Sequence, residues 1–415
     1  MKANVGTLEA DLFERVFRDP SRGSARRIGA EVEFIPVDAT TGQRCAIESQ
    51  EQLSSLPFLR SYGAPLGWME GLTSKGTPCF GLREGGTLTF EPGGQLEYSS
   101  PPCSSASNLL RLLQSVVPPL RAAASDEGID LLTIGIDPYN SADQAPMLIH
   151  ASRYERMAEY LARKGPEGAR MMRQTAAFQV SLDFDDEPWL RWRVLNAAAP
   201  FMVAIFANSP VYAGECSGHQ STRAHVWRKL DPLRTGIPYD AEAPVQAYLD
   251  FAMNAPAILF PNVDGEYRPF GEWLSRSTPT DEEWQEHLST LFPEVRPRGH
   301  LELRSPDAVA PEWYAAPLAV TSGILYDPAA LRAADEILPH PDPGLLERAG
   351  RLGLHDEEIA GTAANLFQVA LAGCTNLGAQ YFHPADIELA GEYFDRYTRR
   401  GLSPSDEILQ DARAA

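Results

Sequence analysis

Five glutamates and one arginine stand at spacings that could do chemistry. In "GAEVEF", Glu31 and Glu33 are two apart, so a strand turns both carboxylates to one face while Ala30, Val32 and Phe34 take the other. "LTFEPGGQLEYSS" reads as two short strands joined by a tight turn, with Glu91 and Glu97 flanking "PGGQ". An even separation on a folded-back ribbon lets them converge on one face. In "HLELRS", Glu302 and Arg304 repeat the spacing of two, with Leu301 and Leu303 turned away. Carboxylates gathered in this way repel one another and raise one another's pKa unless something cationic neutralises them. A hard divalent metal does that, and Mg2+ prefers carboxylate oxygens and retained waters while bridging to nucleotide phosphates. For any one such strand the bland alternative is a solvated outer face of an antiparallel sheet. Three such segments, with Arg304 beside one and little lysine to pair the rest, favour a candidate metal site.

These residues need strands to hold them. Segments rich in β-branched, aromatic or leucine positions are predicted as strands: "RRIGAEVEFIPV", "TLTFEP", "QLEYSS", "DLLTIGID", "TAAFQVSLDF" and "RGHLELRS". Helical patterns lie between them, among them "SASNLLRLLQSVVPPLRAAASDEG", "SRYERMAEYLARKG" and "PWLRWRVLNAAAPFMVAIFAN". After about residue 310 the pattern is almost wholly helical, broken by the proline-rich "LPHPDPG" at 338–344. The organisation is therefore a sheet-based catalytic body, residues 1–330, with a helical C-terminal extension, 331–415, packed on it. Gly93 and Gly94 are expected to supply positive φ at the turn between the acidic strands.

A chain of 415 residues, 44% hydrophobic, buries a large core, and 56 acidic against 36 basic residues give a net charge of -20. Such a surface repels phosphate backbones and anionic headgroups, so neither nucleic acid nor membrane is an expected partner. No apolar run approaches a bilayer span, and the polar start lacks a signal peptide's apolar stretch. Five scattered cysteines without a C-x-x-C pair fit a reducing compartment, and a cytoplasmic location is expected. "REGG" at 83–86 lacks the phosphate-loop patterns and reads as an ordinary loop. Trp227, Trp273 and Trp313 read as packing, and His150, His219 and His287 as capping or packing residues.

"GAEVEF", "LTFEPGGQLEYSS", "RYERM", "MMRQTAAFQVSLDF", "FANSPVYAG", "GHQSTRAHVW", "DPLRTG", "HLSTLFPEVRPRGHLELRSPDA" and "GILYD" occur in an order that resembles the plant and proteobacterial type of glutamate-cysteine ligase, a glutamine synthetase-like family that includes the ergothioneine-pathway relatives. The resemblance covers about residues 25–330. It implies an α+β fold in which an antiparallel sheet curves into a funnel flanked by helices, with metal ions and ATP at one end. It also implies the reaction: ATP phosphorylates the side-chain carboxylate of glutamate, and the amino group of cysteine displaces phosphate to leave a γ-glutamyl amide. Such a transfer between anions depends on alignment and charge neutralisation, which metal ions and arginines supply. No Ser/His/Asp or Cys/His arrangement is evident.

Carried over by resemblance, Glu31, Glu33, Glu91, Glu97 and Glu302 match the family's Mg2+-binding acids. Gln179 falls where a further ligand or an ATP-site residue is expected. Arg304 corresponds to the arginine beside the transferring phosphate, while Arg173, following Met171 and Met172, is expected to line the pocket of Arg223. Arg223 matches an arginine that grips the α-carboxylate of glutamate, and Met172 joins it in the substrate site. Departures from the family pattern are expected to fall in that pocket: Ala176 and Ala177 in "TAAFQ", Ser305 and Pro306 in "ELRSPD", and Ile258 where plant-type members carry a tyrosine. The expected activity is ATP-dependent formation of γ-glutamylcysteine for glutathione or ergothioneine-type thiol synthesis, by a monomer or homodimer acting on small molecules. Two alternatives stand beside it: a γ-glutamyl ligase using another amine, and a non-catalytic amino-acid or nucleotide sensor.

Overall fold

The "GAEVEF" segment lies in β1 (Ile28–Asp38), and the computed structural model, which describes residues 5–17, 25–74, 76–240, 242–260, 265–276 and 279–414, is organised around it. Eight further strands complete its sheet: β2 (Met69–Leu72), β3 (Pro78–Gly81), β4 (Thr87–Phe90), β5 (Leu96–Ser99), β6 (Ile129–Leu132), β7 (Phe178–Leu182), β8 (Val295–Pro297) and β9 (Leu301–Leu303). Their order is β8-β9-β7-β1-β5-β4-β3-β2, with β6 pairing the far half of β1. Every pairing is antiparallel and the path has two open ends.

Alternation along β1 decides which face does what. Ile28, Ala30, Val32 and Phe34 are buried, and Val32 stands opposite Tyr98 of β5 and Phe178 of β7. Cross-strand partners share a face, so these three side chains form one apolar layer. By the same register Glu33 stands opposite Glu97, and Glu31 opposite Gln179 and Ser99, on the other face. The expected strand "DLLTIGID" is shorter than its pattern, ending at Leu132. β2 was not evident in the sequence: all four of its residues are exposed, so an edge strand leaves no alternation to read.

Helices cover the apolar layer. Ala106–Asp126 packs on β1 and β6 through Leu109, Leu113, Val117 and Leu120, and starts where Ser105 Oγ accepts from Asn108 N at 3.1 Å. It continues through Pro118 and Pro119, which sit off its buried stripe, where solvent can satisfy the carbonyls that proline leaves unpaired. Ala315–Tyr326 is buried on every side; Thr321 and Ser322 return their hydroxyls to Pro317 and Leu318 carbonyls at 2.6 Å, so no polar group is stranded. This helix packs on β7 and on Glu357–Leu377. There Gly323 and Gly373 face each other so closely that a Cβ on either would strike main-chain carbonyl oxygen, of Ala370 and Gly323 respectively. The next helix, Pro328–Ile337, runs across residue 330, and one continuous apolar core joins the sheet to the C-terminal helices. Among the described residues no helix is long and apolar enough to cross a membrane.

Candidate functional site

The polar face of the sheet opens into a cavity of about 720 Å³. Glu31 and Glu33 from β1, Glu97 from β5, Gln179 from β7 and Arg304 just after β9 all line it. Glu91 joins them from the turn after β4. That turn closes with Glu91 N donating to Gln95 O at 2.8 Å and is pinned from behind by Arg44, which donates to Gly93 O at 2.7 Å. Gly94 has φ +82°, as a glycine turn needs, but Gly93 is there for another reason. A Cβ on Gly93 would collide with the main chain of Arg173.

Charge within the cavity is arranged in layers. Glu33 accepts from Ala177 N at 2.8 Å and from Gln179 Nε2 at 3.0 Å, and Gln179 Oε1 in turn accepts from Arg304 at 2.5 Å. Glu97 accepts from Ser99 Oγ at 2.8 Å. Burial, then the neighbouring charges of Glu97 and Glu302, pushes Glu31 up to about 8. Burial and Glu91 push Glu33 up to about 7, and burial with Glu91 and Glu33 pushes Glu97 up to about 8. Glu302 goes the other way. Burial would raise it too, but Arg296 and Arg304 outweigh that and hold it well below the usual carboxylate range. Arg296 grips it with two bonds, Nε at 2.5 Å and a terminal nitrogen at 3.0 Å, while Arg298 and Arg304 lie 3.4 and 3.5 Å away.

Three expected site residues do not line the cavity: Ile258, Arg173 and Glu302, the last fully buried behind the wall in the grip of its arginines. Ile258, only 1% exposed, is in the apolar core, where a side chain with no polar atom belongs, and does not line the cavity. Arg173 is also off the wall, its Nε donating to Ala169 O one turn back at 3.2 Å. The helix Glu167–Gln174 explains this: Met171 and Met172 meet the cavity, and the next residue is rotated about 100° further round. The other departures lie beneath the pocket. Ala176 is buried with Ile35, Val37 and Ala308, and Ala177 offers its backbone N–H to Glu33. Ser305 Oγ donates to Glu294 at 2.7 Å, and Pro306 is buried with its carbonyl accepting from Phe178 N at 3.3 Å.

Arg223 does line the cavity, but part of its fork is already engaged. It donates to Arg304 O at 2.8 Å and to Ser305 O at 3.2 Å, and stands 3.8 Å from buried Asp307. Asp307 is itself held by Asn208 N, Ser209 Oγ and Ser221 Oγ at 2.8, 2.6 and 2.9 Å. Arg223 thus braces the exit of β9. Trp227, expected as packing alone, lies on the cavity wall with the guanidinium carbons of Arg304 and Arg223 at 5.4 and 5.9 Å from its ring centre. Arg153, Tyr154 and Met157 from the helix Ser152–Ala162, and Arg296 and Arg298, also line it and were missed by the reading of the sequence. Arg296 and Arg298 did carry a signal, since "VRPRGHLELRS" repeats the spacing of two on both sides of Glu302.

The acids suit a hard dication as donors: all oxygen, crowded, and pushed upward in pKa by burial and mutual repulsion. Among the described residues no three His, Cys, Asp or Glu side chains stand close enough together to hold a metal ion. An ion at these acids would have to complete its coordination with waters and phosphates.

Comparison with known proteins gives the chain's relatives. The profile of glutamate-cysteine ligase family 2 (GCS2) matches residues 27–413. The glutamate–cysteine ligase EgtA of Mycolicibacterium smegmatis is 32% identical over 343 residues, covering 79% of this chain and 78% of that protein. The chloroplastic glutamate–cysteine ligase of Arabidopsis thaliana is 31% identical over 361 residues, covering 81% and 68%. Among solved structures, the glutamate–cysteine ligase of Francisella tularensis in complex with AMP superposes with a TM-score of 0.55 over 94% of this chain and 86% of that one. At 14% identity that likeness speaks for the fold.

Proposed function

Because this chain belongs to glutamate-cysteine ligase family 2, we propose that it is an ATP-dependent glutamate–cysteine ligase forming γ-glutamylcysteine in thiol biosynthesis. A single observation carries the reading. Acids from β1, β5 and the turn after β4 share one cavity with Arg304, Arg223 and Arg296. Transfer of a phosphoryl group between two anions needs just such opposed charges, fixed before the substrates arrive.

In the first step a side-chain carboxylate oxygen of glutamate attacks the γ-phosphorus of ATP; the bond to the β-γ bridging oxygen breaks and ADP leaves. The amino nitrogen of cysteine then attacks the acyl phosphate carbon, phosphate departs with the bonding pair, and the amine loses its proton. Arg304 is placed by Gln179 and Glu302 to meet charge on the transferring group. Arg223, with Met172 beside the cavity, is assigned to the glutamate end. Glu31, Glu33, Glu91 and Glu97 are the oxygens that would hold Mg2+, which supplies charge neutralisation and alignment of the phosphates when bound. Glu302, expected among them, has both oxygens taken up by arginines and is assigned instead to fixing Arg296, Arg298 and Arg304. On this reading residues 331–415 brace the catalytic body 1–330, and the reaction runs in the cytoplasm.

Pure protein incubated with ATP, Mg2+, glutamate and a panel of amines tests the proposal. Phosphate release that requires glutamate and is fastest with cysteine is the expected result. Release with another amine and none with cysteine would replace the acceptor, and ligand binding without any ADP would end the enzymatic reading.

A further inference from the structure

The family match begins at residue 27, yet the cavity wall includes residues that precede it. Val5–Asp11 forms a helix that widens into a π-helical turn over Leu12–Val16. This segment is fastened to the body. Leu12 and Phe17 are fully buried, with Phe17 edge-on to Trp192 at 5.1 Å and to Tyr248 at 5.6 Å. Val16 O accepts from Gly299 N at 2.7 Å. Asp11 accepts from Trp284 Nε1 at 3.0 Å and Gln285 Nε2 at 3.1 Å, and also pairs with Arg15 one turn along.

Arg15 lines the cavity together with Arg153, Arg296 and Arg298. The inner two are committed to the protein: Arg296 to Glu302, and Arg153 to Ser289, whose hydroxyl and carbonyl it reaches at 2.6 and 2.8 Å. Arg15, whose Nε pairs with Asp11, and Arg298, with one terminal nitrogen 3.4 Å from Glu302, keep 54% and 52% of their side chains exposed, so their remaining donors are open to a ligand. We propose that Arg15 is a further anion-binding residue of the site and that its ligand is the polyphosphate of the nucleotide. The inference rests on the ligase reading and adds to it a contact from outside the matched family segment. A single substrate carboxylate is satisfied by one guanidinium fork, whereas a polyphosphate distributes charge along a chain that several forks can follow. In a molecule of net charge -20, a cavity lined by six arginines against four glutamates is also a local reversal of sign where an entering polyanion gains most.

The experiment titrates the full chain, wild type and Arg15→Ala, calorimetrically with inorganic tripolyphosphate and separately with glutamate, and measures KM for ATP, glutamate and cysteine alongside. Arg15→Ala should weaken tripolyphosphate and raise the KM for ATP about 10-fold, as loss of one charge-assisted contact does, with Tm and the glutamate affinity held. Arg15→Lys should recover part of the loss. Unchanged tripolyphosphate affinity, a loss confined to glutamate, or weakening of every ligand together with a lowered Tm would each overturn the inference. Wild-type protein that binds tripolyphosphate but makes no ADP with any amine would defeat the ligase reading alone, and the Arg15 comparison would still decide this one.

Discussion

Gln179 Oε1 accepts a 2.5 Å hydrogen bond from Arg304, and the same amide donates to Glu33 at 3.0 Å, so one neutral side chain holds a cation and an acid in fixed relation. Gln179→Ala should release both. With two buried charged groups losing a partner, kcat/KM is expected to fall about 10- to 100-fold, while Tm moves by only a few degrees. Steady-state kinetics with a thermal melt checks this; activity within twofold of wild type would remove Arg304 from its assigned place.

Glu31 and Glu302 should respond oppositely to the same substitution. Glu31 is buried among the charges of Glu97 and Glu302, so Glu31→Gln relieves repulsion and is expected to leave Tm unchanged or higher without Mg2+ while abolishing turnover. Glu302→Gln strips the shared counter-charge from Arg296, Arg298 and Arg304 and should cost about 3–5 kcal/mol in addition to activity. Denaturant melts of the two variants side by side test the contrast, and equal stabilities would contradict it.

Gly93→Ala introduces a methyl group where the Arg173 main chain already stands. The turn carrying Glu91 must shift, and about a 10-fold or greater loss of activity is expected from displacement near 1 Å. Raising Mg2+ should recover part of it. Insensitivity to both substitution and Mg2+ would show that Glu91 is not used.

His287 gives the pH dependence of stability a definite sign. It is buried against Phe270, ring centres 4.3 Å apart, with Nε2 2.7 Å from Ala252 O, and burial pushes its pKa down to about 3. The unfolded chain takes up this proton near pH 6.5 and the folded chain only near 3. Between those values the unfolded state binds more protons, so this group's contribution is complete above pH 6.5 and shrinks by about 1.4 kcal/mol for each unit of acidification. His287→Phe should flatten the acid limb of the Tm profile, even if its Tm at pH 7 is lower. A limb as steep as wild type would assign the acid sensitivity to other groups.

The parts of the site legible in the sequence are those set by strand alternation. Glu31 and Glu33 face away from Val32 because neighbours in a strand point to opposite sides, and Arg304, next to buried Leu303, follows the same rule. Arg296 and Arg298 obey it as well and were open to the same inference. Arg153, Tyr154 and Arg15 were not, because helices distant in the chain bring them in and nothing local marks a helix face as turned toward a cavity. Nearness in sequence to a motif misled at Ala176, Ala177, Ser305 and Pro306: they adjoin site residues along the chain, yet β7 and β9 carry them underneath, into contacts that support the wall. They offer no ground for excluding cysteine as the acceptor. The strand patterns located most of the strands and the resemblance implied the α+β class with its antiparallel sheet, whereas β2, exposed throughout, had no pattern to detect.

The helix Ala315–Tyr326 shows apolar side chains in every direction, toward the sheet on one side and toward Glu357–Leu377 on the other. A shortened version of the protein lacking the last helices would leave that cylinder half naked, with the close crossing at Gly323 and Gly373 empty. Engineers seeking a minimal catalyst from this scaffold therefore have to keep its far end, and changes of specificity are better sought by redrawing the cavity rim than by trimming the chain.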